Sequence, residues 1–456
     1  MKNLTLTIVL LWAFSFLGTA QNESMSLAQA LAYAKENNAQ LANAKLAIED
    51  SRQEVKSIVA MGLPQVNASG NFTHNIQIPA QVLPDFISPA VYGVLIQEGL
   101  LTPDKFRSGE PQTLQFGAPG SITASASMSQ LLFDGSYFLG LKAAKEFIKV
   151  NELLAENEEI KLVETITKSY YAALIAEQNV KMLQTSYTNL EKTRNETQAL
   201  YENGFVEKLD VDRLNFALTN LKTQVDNMAF QHKILLSVLK INMGMPVTNS
   251  LKLTDPMVYN VKATDGDISV NDRTEIKLLE QQLILDSMNI RRIELEYVPK
   301  LSLNAVYQQN TFANEDNMSD LGETWNPGFF YGVNLSIPVF DGFYKKAKKS
   351  QAQVKMEQDR LTLESTRNAL LFEIQQAELN VQMQKNTLDA KRANKELARE
   401  IYRTTKIKYD EGLASSFELI QAETDRNQAE IELSSALYQY IVAQIELEKA
   451  KATLNQ

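Results

Sequence analysis

Apolar and polar residues alternate one by one in four short stretches of the chain. Near residue 65, Val66, Ala68 and Phe72 take one side of the alternation, and Asn67, Ser69, Asn71 and Thr73 take the other. Near residue 120, Ile122, Ala124, Ala126 and Met128 alternate with Thr123, Ser125, Ser127 and Ser129. After Pro299, Leu301, Leu303, Ala305 and Tyr307 oppose Ser302, Asn304 and Gln308. In the fourth, Phe329, Tyr331, Val333, Leu335, Ile337 and Val339 oppose Phe330, Gly332, Asn334 and Ser336. A period of two predicts strands with one apolar and one polar face. At roughly ten residues each, they are long enough to cross a bilayer when tilted. The expected bounds are 65–75, 120–132, 299–310 and 328–340.

Elsewhere the period changes to that of packed helices. Residues 141–203, 205–243, 343–410 and 413–456 contain neither Gly nor Pro and are rich in Ala, Leu, Glu, Lys and Gln, which favour helix. Leu370, Ile374, Ala377, Val381 and Leu388 follow the spacing of a coiled-coil seam, as do Ile160, Val163, Tyr170 and Leu174. The long runs predict helices on the order of 100 Å long at about 1.5 Å per residue. Gly204 and Gly412 interrupt them, each three residues after a tyrosine, Tyr201 and Tyr409. Glycine commonly stands just past the last turn of a helix, where the backbone turns left-handed. The chain is therefore expected to reverse at 201–209 and at 409–417, making two antiparallel helical hairpins. Asp134 and Asp341 are expected to cap the helices that restart after the second and fourth strands.

These landmarks recur in order, so the chain reads as two copies of one plan. Pro64 matches Pro299, Asp134 in LLFDGSYF matches Asp341 in PVFDGFYK, and Gly204 matches Gly412. A first repeat over 21–245, a linker over 246–270 and a second repeat over 271–456 follow. The first copy carries an extra segment, 76–119, with Pro79, Pro84, Pro89, Pro103, Pro111 and Pro119, half of all the prolines. It reads as a long extracellular loop. Its apolar AVYGVLIQEGLL is expected to pack over the outer mouth of a pore.

Four amphipathic strands raise the question of what covers the apolar face. A soluble sandwich would share the pattern. The helices are too long to cover such a face, and small polar residues on the other side suit a wet lumen. In lipid, four strands would leave their edges unpaired at several kcal/mol per backbone group. Copies must then share a ring of eight, twelve or sixteen strands, of which only the larger leave an aqueous lumen. Phe72, Phe133, Tyr307, Phe329, Phe330, Tyr331 and Phe340 lie near strand ends and read as interfacial girdles.

Composition narrows the reading further. Lys2, the apolar run LTLTIVLLWAFSFL and small residues at Gly18 and Ala20 predict a signal peptide over 1–20. The chain has no cysteine, which removes disulfides and thiolate metal sites. A net charge of −10 argues against nucleic acid as a partner. No phosphate-binding or dinucleotide-binding glycine motif and no His-Glu-x-x-His occurs. The only histidines, His74 and His232, have no partner in sequence, so no catalytic, cofactor-binding or metal site is expected.

Together these features resemble the TolC-like outer membrane efflux protein family over essentially the whole mature chain. The resemblance implies an α+β membrane protein: two repeats of long antiparallel coiled-coil helices, each with two transmembrane strands. It implies a homotrimer whose 12-stranded β-barrel in outer-membrane lipid continues into an α-helical periplasmic barrel. It also implies a passive outer-membrane channel of a tripartite efflux or type I secretion system in a Gram-negative bacterium, not an enzyme. Its periplasmic tip would be opened by an adaptor protein and an inner-membrane transporter. Tyr201, Gly204, Phe205, Val206, Tyr409, Gly412, Leu413 and Ala414 correspond to adaptor-docking tips, and Asp210 and Glu418 to a periplasmic gate. A plain alternative for the two acids is service as solvated first-turn helix residues. The family's second acidic gate position falls on Gln421 and its basic tip residue on Ala414. A periplasmic coiled-coil adaptor is the other functional reading. Adaptors carry one helical hairpin and a membrane anchor, whereas two hairpins and paired amphipathic strands are read here. If the 76–119 segment occludes the pore, deleting residues 80–115 should raise single-channel conductance in planar bilayers; unchanged conductance would contradict a lid.

Overall fold

The computed structural model describes residues 23–78, 80–106, 109–115, 117–258, 270–313 and 321–454. The expected signal peptide lies outside them, as does part of the linker. The elements are, in order, β1 (Glu23–Met25), α1 (Leu27–Asn37), α2 (Ala39–Met61), β2 (Gln65–His74), β3 (Ala80–Leu83), α3 (Ile87–Gln97), β4 (Gln112–Gln115) and β5 (Gly120–Phe133). Then follow α4 (Gly135–Glu202), α5 (Lys208–Met243), β6 (Leu251–Leu253), α6 (Thr274–Leu295), β7 (Lys300–Phe312), β8 (Asn326–Ser336), α7 (Tyr344–Asp410) and α8 (Ser416–Ala450). Two compact units divide the chain, and each takes segments from both repeats. Glu54–Ala143 and Met288–Ser350 form one; the segment ending at Gln53, Ala144–Ser287 and Gln351–Gln456 form the other.

The first unit holds an antiparallel sheet in the order β2-β5-β7-β8. Its register puts Ala68 opposite Ala126, Ala126 opposite Tyr307, and Tyr307 opposite Phe329, so the apolar positions of all four strands share one face. Ser69, Ser125, Gln308 and Gly328 run across the other face, where the Ser69 and Ser125 hydroxyls meet at 2.8 Å. The apolar face is bare: Val66, Phe72, Phe329, Tyr331 and Leu335 are exposed. A one-residue slip would move every apolar side chain to the wrong face, so this alternation fixes the register. β8 ends at Ser336, short of the residue 340 expected from its pattern. Pro338 lacks an N–H for a ladder, and β7 reaches only to Lys300, opposite Ser336.

Both aspartates expected as caps behave as such, with one difference. Asp134 Oδ1 accepts the Ser136 backbone N–H at 2.8 Å and the Ser136 hydroxyl at 2.5 Å, directly ahead of α4. Its Oδ2 pairs with Lys300 at 2.7 Å, which ties the end of β5 to the start of β7. Asp341 accepts the Lys345 N–H at 3.0 Å, but Gly342 and Phe343 first turn left-handed at φ 63° and 67°, so α7 begins only at Tyr344.

The 76–119 segment is more ordered than a loop. β3 pairs with β4 from Ala80 opposite Gln115 to Leu83 opposite Gln112. The helix α3 lies between them, with Pro89 in its first turn, where a missing N–H is tolerated. Tyr92 and Phe106 meet edge to face at 5.6 Å.

In the helical unit, Leu183 and Leu190 of α4 pack with Leu214, Leu218, Leu221 and Val225 of α5, the heptad seam of a hairpin. A larger core gathers Leu162, Ile166, Tyr170, Leu239, Met243, Leu251, Ile441 and Ile445 with Ala30, Ala34 and Leu41 of α1 and α2. Tyr170 is wholly buried there. Its hydroxyl donates to the Met25 carbonyl at 3.0 Å and accepts the Thr254 and Asp255 N–H groups at 3.3 Å. It thus joins the two strands β1 and β6, which pair in parallel. Burial pushes the phenol up to about 12, so it stays a neutral donor.

α5 ends at Gly244, in the left-handed region at φ 77°. The Gly244 N–H bonds the Ile241 carbonyl at 3.0 Å and the Met245 N–H bonds Lys240 at 2.8 Å, a Schellman turn. A Cβ here would lie 2.3 Å from the Asn37 carbonyl oxygen, at the end of α1. Gly244→Ala is therefore expected to destabilise the protein by about 1–3 kcal/mol, read as a lower unfolding midpoint; an unchanged midpoint would show that this junction yields freely.

Candidate functional site

The two turns expected as docking tips share one geometry. After α4, the Gly204 N–H bonds the Tyr201 carbonyl at 2.9 Å and the Phe205 N–H bonds Leu200 at 2.9 Å. After α7, the Gly412 N–H bonds Tyr409 at 3.0 Å and the Leu413 N–H bonds Lys408 at 2.7 Å. Gly204 and Gly412 sit at φ 80° and 71°, which explains why both positions are glycine. In each turn the next residue is a large apolar one held outward: Phe205 is 77% and Leu413 78% exposed. Val206 and Ala414, one further on, are half-buried. Tyr201 is exposed, whereas Tyr409 is half-buried and its hydroxyl meets Thr197 Oγ1 at 2.7 Å. The two tyrosines thus hold matching places in sequence but different ones in space.

Asp210 and Glu418 are both first-turn acids of the helices that leave the tips. Glu418 closes a capping box: its carboxylate accepts the Ser415 N–H at 2.8 Å, while Ser415 Oγ accepts the Glu418 N–H at 3.3 Å. These bonds hold its carboxyl below the ordinary range while leaving it in solvent. Asp210 has a different partner. It accepts the Ser416 hydroxyl at 2.5 Å, which bonds the start of α5 to the start of α8. Arg213 stands 4.0 Å from the same oxygen.

Deeper in the hairpins lies a polar cluster without a signal in local sequence. Glu423, on α8, is 4% exposed, and its Oε1 accepts from Arg426 at 2.7 Å. The same guanidinium nitrogen bonds Ser186 of α4 at 2.8 Å, and the guanidinium stacks 4.2 Å from the Tyr402 ring centre on α7. Ser186 donates to Asn427 at 2.8 Å. Three helices are therefore joined through one cation. Burial raises the Glu423 carboxyl above its ordinary value against the pull of Arg426 and Tyr402, and lifts the Tyr402 phenol to about 12. A cavity of about 440 Å³ opens beside this cluster, lined by Phe216, Leu221, Phe417, Ile420 and Ile431. The Ser-x-x-Glu spacing at Ser415 is a signal by which this cap could have been found; no such signal joins Arg426 to Tyr402. His74 and His232 bond backbone carbonyls, of Pro119 and Ala173. Among the described residues no helix is long and apolar enough to cross a membrane, and no group of three metal-ligating side chains gathers.

The chain thus combines paired hairpins of long helices with an open sheet that has one bare apolar and one polar face. Residues 30–225 and 280–453 match the family model described as outer membrane efflux protein. The chain belongs to that family, whose members are outer-membrane channels of efflux and secretion systems reaching into the periplasm. It is 20% identical to nodulation protein T of Rhizobium leguminosarum bv. trifolii over 79% of this chain and 75% of that one. To outer membrane protein TolC of Vibrio cholerae it is 20% identical over 74% and 77%. Its fold resembles the Campylobacter jejuni CmeC outer membrane channel with a TM-score of 0.69 at 17% identity, covering 94% of this chain and 85% of that one. CusC gives a TM-score of 0.68 at 17% identity, covering 93% and 91%.

Replacing Arg426 by Ala would leave a buried carboxylate without its cation. The expected loss is about 3–5 kcal/mol in denaturant unfolding at neutral pH. Because the folded Glu423 carboxyl holds its proton more tightly than an unfolded one, part of that loss should return as pH falls through its raised pKa toward the ordinary carboxylate value. A variant equally unstable at every pH would show that Glu423 carries no charge there.

Proposed function

We propose that this protein is a passive trimeric conduit from the periplasm to the exterior, in which three copies together contribute twelve strands to one barrel. The observation that carries the reading is the sheet itself. β2 and β8 are both edges, one face is mostly polar Ser, Thr, Asn and Gly residues with Val306 and Phe330 among them, and the opposite face exposes Val66, Phe72, Phe329, Tyr331 and Leu335. In a hydrocarbon layer such edges demand closure, and the polar face then lines water. Among TolC-like channels, closure is by three copies.

The tips are the regulated end. Phe205 and Leu413 are exposed apolar anchors on rigid glycine turns, suited to a periplasmic adaptor that also engages an inner-membrane transporter. The transporter supplies the energy, and no cofactor or bound metal takes part. Glu418, in solvent on the first turn of α8, supplies negative charge to the aperture, repeated once per copy. Asp210 instead bonds the two hairpins of one copy together and limits how far they part.

Glu418→Gln separates charge from structure, because glutamine also completes a capping box. Reconstituted in planar bilayers, this variant should keep its trimer and lose part of the wild type's cation preference. Equal ion selectivity in the two proteins would restrict Glu418 to its capping role.

A further inference from the structure

The internal repeat extends to the hydrogen-bond register of the sheet. β2 pairs Gln65 with Ser129 of β5, and β7 pairs Lys300 with Ser336 of β8. Lys300 lies 235 residues after Gln65, and Ser336 lies 207 after Ser129. The same two offsets carry Pro64 to Pro299 and Asp134 to Asp341. They also carry His74 opposite Gly120 onto Gln309 opposite Pro327, so both hairpins hold one register from end to end. A third pairing, β5 with β7, joins the repeats: Ser129 opposes Asn304, and Gln130 opposes Leu303. It has no counterpart within one chain. Its counterpart would join β8 of one copy to β2 of the next.

Resting on the trimeric reading above, we propose that β8 pairs antiparallel with β2 of the next copy in the register that β5 holds with β7, with Ser336 opposite Ser69. The chemistry of both faces agrees with this register. On the polar face, Asn334 meets Asn71 and Gly332 meets Thr73. On the apolar face, Val333 meets Phe72, Leu335 meets Gly70 and Ile337 meets Ala68. Gly70 has open space where a Cβ would stand, and a depression over Ala68, Gly70, Ala124 and Ala126 lies bare in one copy. Leu335 and Ile337, 57% and 55% exposed, have the bulk to fill it. A slip of one residue would set Leu335 against Asn71 or Ser69 and bury polar groups in lipid.

The register also accounts for the early end of β8. β5 continues past Ser129 to Phe133 because β7 supports it there, with a bulge between Leu131 and Phe133. The matching residues, 337–340, have no such neighbour in one copy, and Val339 and Phe340 stand 91% and 77% exposed. The bulge falls at Val339, beside Pro338, and bulges are among the few places a sheet accepts proline. Pairing with a second copy would extend β8 to Phe340, opposite Val66.

The natural absence of cysteine makes the test direct. The full chain carrying Ser69→Cys and Ser336→Cys is expressed in the outer membrane and treated with a short bis-methanethiosulfonate reagent. It should give covalent inter-chain species on denaturing gels at least about threefold faster than Asn67→Cys or Asn71→Cys combined with Ser336→Cys, which sit diagonally. Asn334→Cys with Asn71→Cys should match the fast pair. A trimer whose fastest link is a diagonal pair would overturn the register while leaving the conduit intact. Monomers with no inter-chain link in any pair would overturn both.

Discussion

Backbone amides and carbonyls at the edge of a sheet must find partners, and in hydrocarbon no water supplies them. This constraint governs the whole design. Among the described residues the sheet has four strands, too few to curl round and satisfy its own edges. Its apolar face is uncovered, so lipid is the medium that its side chains fit. Set across a membrane, a sheet with two open edges would be incomplete, and copies that completed it would enclose an opening. The alternation of small polar residues along the other face fits the same geometry, in which each strand would serve lipid on one side and water on the other.

The helical hairpins solve a different problem. Long coiled-coil helices are held by leucine seams such as Leu183 and Leu190 against Leu214, Leu218 and Leu221. The polar links are placed where the hairpins of one copy meet: Ser416 to Asp210, Thr197 to Tyr409, and Arg426 among Glu423, Ser186 and Tyr402. A buried ion pair adds less net stability than apolar packing of the same size, yet breaking it is severe. Links of that kind favour one arrangement of helices over its neighbours, as the proposed control of the tips would require.

Much of this fold was legible in sequence because two of its periods are physically strict. Strands with a single apolar face cannot hide their alternation, and helices uninterrupted by Gly or Pro announce their length. Gly204 and Gly412 marked the reversals because a left-handed turn excludes most other residues. The helices α1, α2 and α6 carry weaker signals, although Ser26 and Gln29 have a capping-box spacing ahead of α1. The hairpin and helix within 76–119 were hidden by proline density, since Pro89 in a first turn looks like a breaker. Among the tip residues, Glu418 stands where a first-turn acid is expected, and its capping box with Ser415 adds a partner that expectation lacks. The bond from Asp210 to Ser416 has no local signal, because 206 residues separate the partners. Equivalent positions also diverged: Tyr409 found Thr197, whereas Tyr201 stayed exposed.

If one copy is an unfinished barrel, native mass spectrometry of the full-length protein, released from outer membranes in mild detergent, should show a complex of three copies that does not dissociate on dilution. A stable single copy, soluble after the detergent is removed, would contradict it.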